Sequence, residues 1–196
     1  MNSEYKTNTG EGNLIQWRSR QPDTAIKNSE GNYEIKAKVK MYADGYLTMA
    51  IASGAGEEKA VNIHRRGRKG QELEFSKAQL TNFDDATCFL YSPNLYQEFT
   101  GIEGLYPDRF TASAANKLRK ISIEPQDSVQ ETRLSVSLSL GPNIEEVIAK
   151  NCKAANFDLD LSLYPRLKKL DAIGSAFTSI SIADGAPLNY FKVESP

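Results

Sequence analysis

At 196 residues, with 40% hydrophobic and 25% charged side chains, the chain is long enough for one ordinary core and too apolar for a disordered segment. The net charge of −1 excludes a polycation, but residues 1–80 hold 13 Lys and Arg against 10 Asp and Glu, and residues 81–196 hold 11 against 15. The first part is therefore the one expected to face an anion. No apolar run approaches the roughly 20 residues of a membrane-spanning helix, and MNSEYKTNTGEGNLIQW lacks the basic and apolar regions of a secretory signal, so a soluble, cytoplasmic protein is expected.

Residues 1–30 are rich in Asn, Ser, Thr, Gly and charge, and read as a flexible polar arm able to dock through Trp17. YEIKAKVKMY (33–42) and GYLTMAIA (45–52) alternate with a period of two, as half-buried strands do. A three-residue Ala43-Asp44-Gly45 loop would set Met41 against Leu47 and Val39 against Met49. That predicts a hairpin over 33–52, with Lys36, Lys38, Lys40, Tyr42 and Tyr46 on its outer face. AVNIH (60–64) and ELEF (72–75) predict a second hairpin over 60–75, tipped by RRGRKG. ATCFLYS (86–92) reads as a buried strand, 93–110 as an ordered loop, 111–120 as a short helix and ISIEP (121–125) as a brief strand.

A soft boundary falls in PQDSVQET. Beyond it, RLSVSLSL (133–140) alternates as a strand, and Gly141-Pro142 opens a predicted helix whose stripe is Ile144, Val147, Ile148 and Cys152. FDLDLSLY (157–164) reads as a strand, 165–177 as a second helix, and 179–183 and 188–193 as closing strands, with no internal repeat evident. The expected fold is α+β: an antiparallel β-rich body over 31–125, built on the two hairpins, then a strand-helix-strand portion over 131–196 that can share its core.

Chemistry is sparse. One histidine, His64, excludes a multi-histidine metal site, and no carboxylate adjoins it in sequence to orient the ring for a catalytic relay. Cys88 and Cys152 are expected as reduced, buried thiols. GK[ST] and GxGxxG are absent. Asp158 and Asp160 share a strand face and read as its solvated side. Pro22-Asp23 followed by Glu34-Ile35-Lys36 resembles the PD-(D/E)xK pattern of a large nuclease superfamily. That resemblance implies a Mg²⁺-dependent nuclease in which Asp23 and Glu34 hold the metal and Lys36 assists the attacking water.

The reading that unites more of the residues is a non-enzymatic, sequence-tolerant binder of nucleic acid, single-stranded by preference. Lys36, Lys38, Lys40, Arg65, Arg66, Arg68 and Lys69 would meet phosphates, Tyr42 and Tyr46 would stack on bases, and His64 belongs to the same nucleic-acid-binding set. No cofactor, metal or membrane is expected. The alternative is an assembly subunit working through protein–protein contacts, self-association included.

Overall fold

A computed structural model describes residues 14–20, 33–53, 61–80, 85–91, 95–103, 106–112, 115–123, 138–150, 157–175 and 177–193. These residues hold fifteen strands and no α-helix, which replaces the expected α+β fold with a nearly all-β one. In chain order the strands are β1 (Leu14–Arg20), β2 (Tyr33–Met41), β3 (Gly45–Ser53), β4 (Val61–Gly67), β5 (Glu72–Leu80), β6 (Asp85–Tyr91), β7 (Tyr96–Glu103) and β8 (Tyr106–Thr111). They continue as β9 (Lys120–Ile123), β10 (Leu138–Ser139), β11 (Glu146–Ala149), β12 (Phe157–Leu161), β13 (Lys169–Asp171), β14 (Phe177–Ile182) and β15 (Tyr190–Lys192). One sheet runs β10-β8-β1-β6-β3-β4, a second runs β15-β13-β11-β9-β7-β2-β5, and β12 pairs with β14. Among the described residues no helix is long and apolar enough to cross a membrane.

The period-two reading of 33–41 and 45–52 holds, but the strands are not partners. β2 pairs with β5 and β7, and β3 pairs with β4 and β6. The chain at 42–44 is an arch from one sheet to the other, and so is the segment from Gly67 to Glu72; the predicted hairpins over 33–52 and 60–75 are both replaced by sheet-to-sheet crossings. A hairpin and an arch bury the same alternate residues. In a hairpin, Val39, Met41, Leu47 and Met49 share one side of one sheet; here they face each other across a sandwich, all fully buried. Alternation fixes which side of a strand is apolar and leaves open what lies beside it. Part of the expected polar arm is likewise an interior strand, since β1 lies between β6 and β8 with Ile15 in the core.

Beyond β7 the second sheet becomes a parallel solenoid. Lys120, Glu146, Lys169 and Tyr190 stand side by side on β9, β11, β13 and β15, so successive coils are 26, 23 and 21 residues long. The entry to each strand repeats the same hydrogen bonds. The amides of Glu145 and Glu146 donate to the Arg119 carbonyl, those of Lys168 and Lys169 to Glu145, and those of Asn189 and Tyr190 to Lys168. A repeat is thus present where none was read, because the coils differ in length and share only an apolar-x-x-apolar entry: Leu118/Ile121, Ile144/Val147, Leu167/Leu170 and Leu188/Phe191.

That same spacing produced the helix expectations over 111–120, 141–152 and 165–177. The described residues there form tight turns leading into β9, β11 and β13, with amide-to-carbonyl bonds three residues apart: Leu118 to Ala115 at 3.0 Å, Tyr164 to Leu161 and Leu167 to Tyr164 at 3.2 Å. Each turn buries one residue in three, as in Ala112-Ala115-Leu118-Ile121 and Leu161-Tyr164-Leu167-Leu170. On an α-helix a strict spacing of three slips about 60° per step, so four such residues would wind halfway round the axis. Coils are stitched to one another by buried polar contacts. The Leu140 amide donates to the Tyr164 hydroxyl at 2.8 Å, and the Ser175 hydroxyl donates to the Ala149 carbonyl.

Arg119, Glu145 and Lys168 form a ladder across the first three coils, with Glu145 bonded to both cations and Lys168 at 2.8 Å. The Lys168 hydrogen bond, reinforced by Arg119 against partial desolvation, holds the Glu145 carboxyl below its usual value. The ladder therefore stabilises the fold fully above about pH 4.5, the ordinary value, and loses that effect as the pH falls through the lowered one. Glu145→Gln is expected to cost on the order of 1 kcal/mol at neutral pH. In thermal melts of both proteins across pH, the gap in Tm should close below the ordinary carboxylate range; a gap that widens in acid would contradict the ladder.

Candidate nucleic-acid interface

The two arches lie side by side at one end of the sandwich. The Met41 amide donates to the Gln71 carbonyl at 2.8 Å and the Gly70 amide to Met41 at 2.9 Å, while the Lys69 amide donates to the Asp44 carboxylate at 2.7 Å. The Arg68 amide donates to the Gln71 side-chain carbonyl at 3.0 Å, and Gly70 takes φ +80°, a conformation only glycine enters freely. The basic tip is therefore a braced turn with its side chains outward: Arg65, Arg66, Arg68 and Lys69 are all exposed.

Two tyrosines stand with them. Tyr46 is 68% exposed with the Arg66 guanidinium 5.7 Å from its ring centre, and Tyr42 is 38% exposed with the Lys117 ammonium 5.0 Å from its ring. These cation–π contacts hold flat side chains beside charge. His64 shares a 2.8 Å hydrogen bond between Nδ1 and the Thr48 hydroxyl, and its carbonyl accepts from Arg65 at 3.2 Å. Lys117 escaped the sequence reading. It lies in the turn before β9, 75 residues downstream of Tyr42 in the chain, and only the pairing of β9 with β7 brings it near the arches.

The lysines of β2 belong elsewhere. Lys38 and Lys40 point from the outer face of the second sheet, where Lys38 meets Glu74 at 3.8 Å and Lys40 meets Glu98 at 3.5 Å. Register extends this into a row across six strands: Lys169, Glu146, Lys120, Glu98, Lys40 and Glu72, with the sign alternating at every step. Opposed charges on neighbouring strands are mutually favourable, and the row carries no net charge. Lys36 is placed by the backbone of β2 opposite Ser76 and Glu103. The expected face uniting three lysines with Tyr42 and Tyr46 is thus divided between the two sheets.

Of the nuclease-like set, Asp23 lies outside the described residues, and Glu34 and Lys36 are placed by backbone alone. Among the described residues no three His, Cys, Asp or Glu side chains gather as metal ligands. Asp158 accepts a 2.7 Å hydrogen bond from the Ser179 hydroxyl, and Asp160 accepts from the Ser162 hydroxyl and amide, which lowers its pKa. Cys88 is buried, and Cys152 lies outside the described residues. No protein-family model, curated protein or solved structure matches the chain.

Proposed function

We propose that the protein is a non-enzymatic binder of a single nucleic-acid strand, acting through the end of the sandwich where the arches meet. The observation that carries this reading is that Arg65, Arg66, Arg68 and Lys69 are exposed at one arch, with Arg66 over exposed Tyr46 and Lys117 over exposed Tyr42, while the carboxylate of the adjoining arch, Asp44, already accepts the Lys69 amide. Phosphates release counterions on meeting such cations, and bases of any identity stack on the tyrosine faces left open. Arginine's planar fork suits phosphate oxygens better than a lysine point charge does. Lys38 and Lys40 are not part of this interface, because Glu74 and Glu98 on neighbouring strands neutralise them.

The test is fluorescence anisotropy with labelled single-stranded and duplex oligonucleotides over a salt series. With up to five phosphates engaged, the logarithm of single-strand affinity should fall with log salt at a slope of about −3. R65A/R66A/R68A should flatten that slope by about two. Y46A should weaken binding roughly tenfold and leave the slope unchanged. K38A/K40A should have little effect. Absence of binding at low salt would overturn the reading, and so would a larger loss from K38A/K40A than from the arginine variant.

A further inference from the structure

The coil that carries β14 and β15 is built like those before it, but its apolar residues are less buried. Register sets Ile180 and Ile182 of β14 beside Leu159 and Leu161 of β12, and Phe191 of β15 beside Leu170 of β13. By the same offsets Leu188 follows Leu167 and Val193 follows Ala172. All five residues of the inner coil are buried; their five successors are half-buried or exposed, with Phe191 54% exposed. Among the described residues β15 has a strand neighbour on one side only. Solenoid ends ordinarily carry a polar cap, and sheet edges are ordinarily guarded by charge. The opposite edge of the same sheet has that guard in Glu72 and Glu74 of β5. In the coil of β14 and β15 the charge is thinner: the outward residues of β14 are Ser179 and Ser181, where β12 has Asp158 and Asp160, and Lys192 is the one charged residue of β15.

We infer that this coil is an interface for a second copy of the chain, joined tail to tail about a two-fold axis. The surface is complementary to itself. Antiparallel pairing centred on Phe191 sets Phe191 against its counterpart in line with the buried row of Leu170, and Lys192 opposite the second copy's Tyr190. That contact repeats one already present a strand further in, where the Lys169 ammonium lies 4.9 Å from the Tyr190 ring. In this pairing Phe191 meets Phe191 and each Lys192 meets a Tyr190, so no like charges stand opposite one another. A two-fold contact uses the patch once on each copy and closes. The inference is independent of nucleic-acid binding, because the arches lie on the sandwich formed by β2 to β5.

Sedimentation equilibrium of the full chain, from low micromolar to several hundred micromolar, should show mass rising from 21.7 kDa toward twice that value and stopping there. F191E, which alters a side chain that is 54% exposed, should weaken association by about a hundredfold with the circular dichroism unchanged. In a C152S background, F191C should form a disulfide-linked dimer by itself. Y190C and K192C should link only when mixed, since each faces the other across the axis. A monomeric mass at every concentration would overturn the inference, and so would mass growing past two copies. Y190C linking to itself as readily as to K192C would overturn it too.

Discussion

Replacing Gly141 by alanine is expected to destabilise the protein by about 2 kcal/mol, enough to lower Tm by roughly 4–8 °C in a chain of this size. Among the described residues the left-handed glycines are Gly70, Gly174 and Gly185, so Gly141 is needed for space and not for its dihedral freedom. A Cβ at 141 would lie 2.4 Å from the Ala115 carbonyl oxygen and 3.1 Å from its carbon. That obstacle is backbone, held in a buried turn whose amide bonds to Ala112 at 2.9 Å, so it cannot swing aside as a side-chain tip could. Two effects oppose each other. Alanine restricts the unfolded chain, which favours folding by about 0.4–1 kcal/mol. Forcing a methyl group into a packed site costs about 1–3 kcal/mol, more where the clash is with backbone, and the second effect wins. Gly185→Ala is the control: nothing lies within 4 Å of its Cβ, and only the strain of φ +73° opposes it, about 1 kcal/mol. Differential scanning calorimetry of both variants separates the two causes. A Tm that rises in G141A would mean that the coils do not stack Gly141 on Ala115.

The positions of most strands were legible in the sequence, and their partners were not. Tyr33 to Met41, Gly45 to Ala52 and Phe157 to Leu161 alternate as half-buried strands must, and each is one. Pairing is a long-range property. A three-residue link at 43–45 satisfies a hairpin and an arch equally well, and the decision rests on contacts such as Tyr42 to the Leu95 carbonyl that no local pattern encodes. The solenoid was hidden for a related reason. Its coils reuse a spacing of three that resembles a helical stripe over two turns, and unequal coil lengths blur the repeat. One signal was available, because Ala112, Ala115, Leu118 and Ile121 keep a spacing of three for too long to stay on one helical face. The candidate site was half legible. The arginine tip and both tyrosines stand out in the sequence, and Arg66 meets Tyr46, while Lys117 reaches Tyr42 and Lys38 and Lys40 turn to glutamates only through the fold.

Removing Phe99 should have a larger effect than the glycine substitution, and its form bears on how the chain is organised. Phe99 sits on β7, the strand where the antiparallel sandwich hands over to the parallel solenoid. It lies opposite Val39 on β2 and Ile121 on β9, and all three are fully buried. Its neighbours belong to a single apolar cluster running from Ile15 in the first strand to Ala172 at the end of β13. Phe99→Ala would leave a cavity that the flanking ladders cannot close, because both fix the backbone of β7. The expected loss is about 3–5 kcal/mol, a drop in Tm of roughly 10 °C. Since one core spans the handover, fluorescence of Trp17 in β1 and far-ultraviolet circular dichroism should report the same urea midpoint in the parent and shift together in F99A. Coincident shifts would mean that the sandwich and the solenoid unfold as one unit, and that the arches are held by coils more than a hundred residues away in sequence. A shift seen by circular dichroism but not by Trp17 would instead mean that the solenoid melts independently. In that case the tail-to-tail contact and the basic end would operate without mechanical connection.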